Sequence, residues 1–254
     1  MNILEQIVIQ KKNHNKYLIQ KIKNNKISNI NPKFTYSIKN EIKKGKNALI
    51  AEFKRFSPSI NKFKNVRNLQ EIINEYDLSN CCAISILTDK NFGGSLNDIL
   101  IAKKITSKPI IRKDFIIDKS QILESKIYKA DAILLIAKVL TKKKITELYN
   151  YAKKINLDVL IEVENEIEIK KINHIKAELV GINNRNLKKQ KIDVNKSINL
   201  SKILKDKIII CESGVTDKNI RKIKSQSNIN SFLIGGSILN NKNRIDFINK
   251  LYQS

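Results

Sequence analysis

Eight short runs rich in Ile, Leu and Val, most of them ending in a polar cluster, alternate with segments of helical period along a chain of 254 residues. That alternation predicts an α/β fold, and the count of eight at this length favours one closed parallel (β/α)8 barrel, a TIM barrel, over an open doubly wound sheet. Composition agrees: 6% of residues are aromatic and none is Trp, so the interior must be built of branched aliphatics, which suit strands buried on both faces. No Pro/Gly/Ser-rich linker divides the chain, so residues 1–254 are expected to form a single domain.

Residues 1–45 read as an N-terminal helical extension. Ile3, Leu4, Ile7 and Val8 fall on one helical face, and a polar segment with Pro32 leads on to Gly45. Such a layer is expected to act as a lid or plug. The first strand, Ala48–Phe53, carries Glu52 and breaks into Lys54 and a Ser57-Pro58-Ser59 turn. The second, Ala83–Leu87, runs on to Phe92-Gly93-Gly94-Ser95. The glycines there allow a mobile loop that brings Phe92 over an aromatic ligand, while Ser95 equally reads as a helix cap. Strands follow at 109–112, before Lys113-Asp114; at Ala132–Ile136; at 159–163, which carries Glu162; and at 179–182, before Asn183-Asn184-Arg185. The last two, 208–211 and 232–234, run into Glu212-Ser213-Gly214 and Gly235-Gly236-Ser237. Between strands lie helical faces such as Leu69, Ile72, Ile73 and Tyr76, and residues 244–251 supply the eighth helix.

Lys and Arg outnumber Asp and Glu by 49 to 24, a net charge of +25. Composition alone would suggest a nucleic-acid or anionic-membrane partner. The basic residues are spread through every segment, however, with no basic tail and no interleaved aromatics, so no specific nucleic-acid partner is expected. The positive field would draw in a phosphorylated small molecule. Cys81, Cys82 and Cys211 make no disulfide framework and suit a reducing cytoplasm. His14 and His174 lack metal-site spacing, and neither Gly-x-Gly-x-x-Gly nor a Walker loop is present. A structural zinc site is therefore not expected, and the dinucleotide and nucleoside-triphosphate readings are weakened. No segment reads as membrane-spanning or as a signal core, and a monomer or weak association is expected.

In a barrel of this kind reactive groups gather at the carboxyl ends of the strands. Glu52 and Lys54, two apart, point to the same side. Lys113, Glu162, Asn183 and Arg185 join them from other strands. Two lysines and two carboxylates around one cavity push each other's pKa values apart, which makes acids and bases for neutral pH. The plainer reading is a set of surface ion pairs capping strand ends, against which their joint recurrence argues. Ser213-Gly214 and Gly235-Gly236-Ser237 offer hydroxyls and glycine amides for a phosphate, with Ser57 adding a hydroxyl from the neighbouring edge; tight turns are the plainer reading. Cys211 reads as core filler.

Ile50 to Ser59 (Ile-Ala-Glu-Phe-Lys-Arg-Phe-Ser-Pro-Ser), Ala83 to Asp89, Pro109 to Asp118 with its Arg112-Lys113-Asp114-Phe115, Gly181 to Leu187 and Glu212-Ser213-Gly214 together resemble the indole-3-glycerol phosphate synthase family, from Ile3 to about Leu251. The sister barrel enzyme phosphoribosylanthranilate isomerase shares the phosphate site but lacks the pairing of Glu-x-Lys-x-x-Ser-Pro-Ser with Arg-Lys-Asp-Phe. The resemblance implies a carbon–carbon lyase of tryptophan biosynthesis without metal or organic cofactor. It implies Lys113 as general acid, Glu162 in proton transfer during dehydration, and Lys54 as an electrostatic aid near the anthranilate carboxylate. Glu52 and Asn183 would orient these groups, and Ser213 would join the catalytic set. Ser57, Gly214, Gly235 and Gly236 would hold the phosphate, Arg185 would aid binding, and Phe92 and Phe115 would flank the anthranilate ring. The sequence departs from the family pattern in a shorter loop at Asn91-Phe92, in Ile60-Asn61, Glu164 and Asn186, and in Lys129 where Gly is common. No departure removes a proposed catalytic group. Another phosphosugar isomerase on the same barrel and a basic nucleic-acid-binding protein are the rival readings.

Overall fold

The computed structural model describes residues 3–23, 36–56, 68–186, 190–204 and 206–253. Parallel strands β1 (Ala48–Phe53), β2 (Ala83–Leu87), β3 (Ile110–Lys113), β4 (Ala132–Ile136), β5 (Asp158–Val163), β6 (Leu179–Asn183), β7 (Ile208–Glu212) and β8 (Ser231–Ile234) follow one another in sequence order, and β8 pairs with β1 to close the barrel. Three of the expected strands match at both ends, and the others differ by one residue. Two of those differences share a cause. Asn183 and Glu212 are ladder partners, so backbone pairing carries β6 and β7 one residue into what side-chain polarity marks as loop. The third strand begins after Pro109, which has no N–H to give the ladder although its carbonyl accepts from Ile84 N at 2.9 Å.

Helices α1 (Ile3–Lys23) and α2 (Ile38–Lys44) precede the barrel. Helices α3 (Leu69–Leu78), α4 (Asn97–Ala102), α5 (Lys119–Ile127), α6 (Lys142–Lys154), α7 (Glu166–Ile172), α8 (Asn195–Ser201) and α9 (Ile220–Gln226) each follow one strand, and β8 is followed by the single-turn α10 (Gly236–Leu239) and by α11 (Arg244–Gln253). Several starts are written in the sequence as N-caps: Asn68, Asp118, Thr141 and Asn165 each accept a first-turn N–H of α3, α5, α6 and α7. Ser95 acts in a similar way just ahead of α4's own cap, its Oγ accepting from Asn97 N at 3.2 Å. Lys129 has φ 64, a left-handed position that a glycine fills without strain.

Two apolar cores result. One lies between strands and helices; the other fills the barrel, where Ile50, Ile111, Leu160, Ile210 and Leu233 meet Ile38 and Ile42 of α2. Each isoleucine so buried contributes about 1.5–3 kcal/mol. Ser37 Oγ donates to Asp158 Oδ2 at 2.9 Å, at the amino end of β5, so α2 plugs the bottom of the barrel. Helix α1 lies at the opposite end, where Leu4 and Ile7 line the mouth. The layer expected as a lid or plug is thus two helices, one at each end of the barrel. Among the described residues no helix is long and apolar enough to cross a membrane.

Candidate active site

Inward and outward positions alternate along a strand, so parity decides which side chains meet in the mouth. On β1 the inward set Ala48, Ile50 is continued by Glu52 and Lys54; on β5 Leu160 is followed by Glu162, and on β7 Ile210 by Glu212. Lys113, at the end of β3, reaches the middle of this ring. Its Nζ lies 2.7 Å from Glu212 Oε2 and 3.6 Å from both Glu52 Oε2 and Glu162 Oε2. Lys54 Nζ donates to Glu52 Oε1 at 2.5 Å.

All three carboxylates are buried, which rules out exposed ion pairs at strand ends. Their electrostatics differ. Burial alone would drive the proton off Lys113, but Glu212, Glu52 and Glu162 outweigh it and raise its pKa above the ordinary lysine value. Burial likewise opposes the charge on Glu52, yet Lys54 and Lys113 prevail and lower its pKa. At Glu212 burial wins: against the pull of Lys113, and helped by Glu162 and Glu52, it pushes the carboxyl up to about 7. Glu212 Oε1 is buried and accepts no hydrogen bond from the described residues.

Glycines make the space. A Cβ on Gly181 would lie 2.1 Å from Glu212 Oε1, and one on Gly235 would lie 2.7 Å from Glu52 Oε1. Beyond β7, Ser213 and Gly214 take φ values of 65 and 76, turning the backbone back into the mouth. Asn184 Nδ2 donates to Ser213 O at 3.0 Å, Asn219 Nδ2 to Gly214 O at 2.8 Å, and Ser237 Oγ to Val215 O at 2.8 Å. The first two bonds fix the β7 turn, and the last ties it to Gly235-Gly236-Ser237, where the first N–H groups of α10 have no partner within the helix. Opposite lies an aromatic wall: Phe92 and Phe115 stack with centroids 6.3 Å apart and planes inclined by 14°.

Glu52, Lys54, Phe92, Lys113, Phe115, Glu162, Asn183, Arg185, Ser213, Gly214, Gly235 and Gly236 all line one cavity of about 410 Å³. Ser57 lies outside the described residues. Asn183 Oδ1 accepts from Arg185 N at 2.9 Å, which fixes the turn after β6, and burial lowers the pKa of the Arg185 guanidinium against the opposing pull of Glu52. Cys211 is buried against Asn184 and Ser197, its thiol pushed up to about 11 chiefly by burial, as core filler should be.

Sequence reasoning gave Glu212 no role, although its parity with Ile210 pointed it inward. It also named Leu4 and Ile7 without placing them in the cavity wall, and it did not name Ile192. The last is set by Gly214, whose Cβ would stand 2.4 Å from Ile192 Cγ2.

A sequence model of the family described as indole-3-glycerol phosphate synthase matches residues 4–251. The chain is 39% identical over 242 residues to an indole-3-glycerol phosphate synthase of Caldanaerobacter subterraneus subsp. tengcongensis, covering 93% of each chain. It is 41% identical over 205 residues to one of Bacteroides thetaiotaomicron, covering 80% of this chain and 78% of the relative. Among solved structures it resembles 3-hexulose-6-phosphate synthase from Salmonella typhimurium, with a TM-score of 0.67 at 13% identity over 81% of this chain and 97% of that one. At that identity the likeness concerns the fold alone.

Proposed function

The chain belongs to the indole-3-glycerol phosphate synthase family, and from that premise we propose a division of labour among the groups in its barrel mouth. As a member it is a carboxy-lyase of tryptophan biosynthesis, which converts 1-(2-carboxyphenylamino)-1-deoxyribulose 5-phosphate to indole-3-glycerol phosphate with loss of CO2 and water. Lys113 gives its proton to the substrate's carbonyl oxygen as the ring carbon bearing the carboxylate attacks the carbonyl carbon. A carbon–carbon bond forms and the carbonyl becomes a hydroxyl. Loss of CO2 returns the bonding pair to the ring; the hydroxyl then takes up a proton and leaves as water, the neighbouring CH2 carbon gives up a proton, and the carbon–carbon double bond of the indole forms, with Glu162 serving these proton transfers.

Lys54 faces the departing carboxylate, and Glu52, Asn183 and Ser213 orient the reacting groups. Glu212 aims Lys113 and helps keep it charged. The phosphate is held by Ser57, Gly214, Gly235 and Gly236 with help from Arg185, and the aryl ring packs on Phe92 and Phe115. A remote phosphate anchor holds the two carbons to be joined in reacting distance. The observation that carries this reading is the Lys113 ammonium, set among three buried carboxylates between an aromatic wall and a glycine-lined turn. A cytoplasmic site of action is supported by three free cysteines. Action as a monomer or in weak association is supported by exposed apolar side chains spread over many elements, as in Ile9, Leu78, Ile167 and Ile203.

The test is turnover to a product with indole fluorescence. Lys113→Ala is expected to abolish it while the substrate still binds. Lys54→Ala and Glu162→Ala should lower kcat far more than Ser57→Ala, which should chiefly raise KM. Equal losses in all three variants, or turnover surviving in Lys113→Ala, would refute the assignment.

A further inference from the structure

A charged side chain of α1 reaches two buried carboxylates of the barrel. Leu4, Ile7, Lys11, Asn15 and Leu18 recur at helical spacing along one face of α1. Leu4 and Ile7 line the catalytic cavity and Leu18 is buried. Between them Lys11 Nζ lies 2.9 Å from Asp89 Oδ2 and 2.5 Å from Asp114 Oδ1. Both aspartates are buried, where a carboxylate without a cation is costly. Asp114 has Arg112 as well, at 2.9 Å; among the described residues Lys11 is the one cation paired with Asp89.

Each aspartate shapes half of the aromatic wall. Asp89 Oδ1 accepts from Asn91 N at 2.8 Å and its carbonyl from Phe92 N at 3.0 Å, winding the short turn that carries Phe92. Asp114 follows Lys113 directly, and the Oδ1 that Lys11 grips also accepts from Phe115 N at 2.8 Å. Thr88 Oγ1 joins the two strand ends through Asp114 Oδ2 at 2.8 Å.

We propose that Lys11 is a positioning residue for the ring closure: by gripping Asp89 and Asp114 together it sets Phe92 against Phe115 and seats Leu4 and Ile7 over the aryl end of the cavity. Lys11 touches no substrate and acts through the two aspartates. The proposal rests on the reading that the aryl ring packs on that wall. It also predicts selectivity, because the glycine turns after β7 and β8 are held by Asn184, Asn219 and Ser237 rather than by α1.

Steady-state kinetics of Lys11→Met, Lys11→Arg, Lys12→Met and Phe92→Ala, with inhibition by inorganic phosphate measured on each, test it. Lys11→Met is expected to raise KM about tenfold, the scale of one lost charge-assisted contact, while the phosphate inhibition constant stays within about twofold of wild type. Lys11→Arg should recover most of the loss. Lys12→Met, which removes a neighbouring charge on the exposed face of α1, should leave KM unchanged. An unchanged KM in Lys11→Met alongside a raised one in Phe92→Ala overturns the clamp. So does phosphate inhibition that weakens in step with KM, or a Lys12→Met variant that behaves like Lys11→Met, since either marks a general effect of lost charge on the helix. An unchanged KM in Phe92→Ala overturns the aryl-wall reading and the clamp with it.

Discussion

Replacing Glu212 by Gln removes a carboxyl that the fold holds at a pKa of about 7 against an ordinary 4.5. The two values lie roughly 2.5 pH units apart, or about 3 kcal/mol. Below pH 4.5 the carboxyl is protonated in both the native and the unfolded chain and costs nothing. As pH rises to 7 the unfolded chain sheds the proton while the native one keeps it, so stability declines; above 7 both are ionised and the full cost persists. Lys113, with its raised pKa, contributes stability that is fully present below the ordinary lysine value, so losing its closest partner shifts the variant by a constant over this window. Glu52, with its lowered pKa, contributes stability that is lost only as pH falls below the ordinary carboxylate range. Wild type minus variant should therefore fall by ~1.4 kcal/mol per pH unit between 4.5 and 7 and then level off. Thermal unfolding of both proteins across pH 4.5–8 measures it, and about 3 kcal/mol corresponds to about 6–12 °C in Tm for a chain of this size. Parallel Tm profiles would refute the reasoning, as would a difference that grows in favour of the wild type with rising pH.

Two further substitutions probe the space around the site. Gly181→Ala should displace the Glu212 carboxylate that a Cβ would strike at 2.1 Å; kcat should fall more than tenfold and stability by about 1–3 kcal/mol, read by turnover and urea unfolding. Gly214→Ala puts a side chain at φ 76 and 2.4 Å from Ile192 Cγ2; it should cost about 1–2 kcal/mol and raise KM more than it lowers kcat, since it disturbs the turn proposed to hold the phosphate and not Lys113.

The barrel was legible because its strands are short, aliphatic and bounded by polarity, and because period and parity carry over from sequence to structure. Glu52 and Lys54 could be put on one side of their strand from their spacing, and Lys113 and Glu162 could be brought to the same mouth from their places at strand ends. Glu212 escaped a role because its function depends on which residue faces it across the barrel, a distance that no linear pattern encodes. The work of Gly181 was hidden for the same reason: in sequence it is one residue of an apolar run, and only the opposing carboxylate gives its missing side chain a purpose. Lys11 was invisible among so many lysines, since nothing local distinguishes a cation that bridges two buried aspartates from one that faces water.

The pairing of β1 with β8 has a consequence for how the molecule is made. Ala48 and Ser231 are ladder partners about 180 residues apart, and contacts between such distant segments are slow to form because a long loop must first be ordered. During synthesis β1 emerges with one bare edge, and the plug helix has no finished floor to seat on until the eighth strand arrives. The segment made early is thus completed late, and Ile38 and Ile42 can bury themselves only once the ring has closed. Substitutions at these two residues should speed unfolding while leaving the folding rate nearly untouched, the signature of contacts made after the transition state.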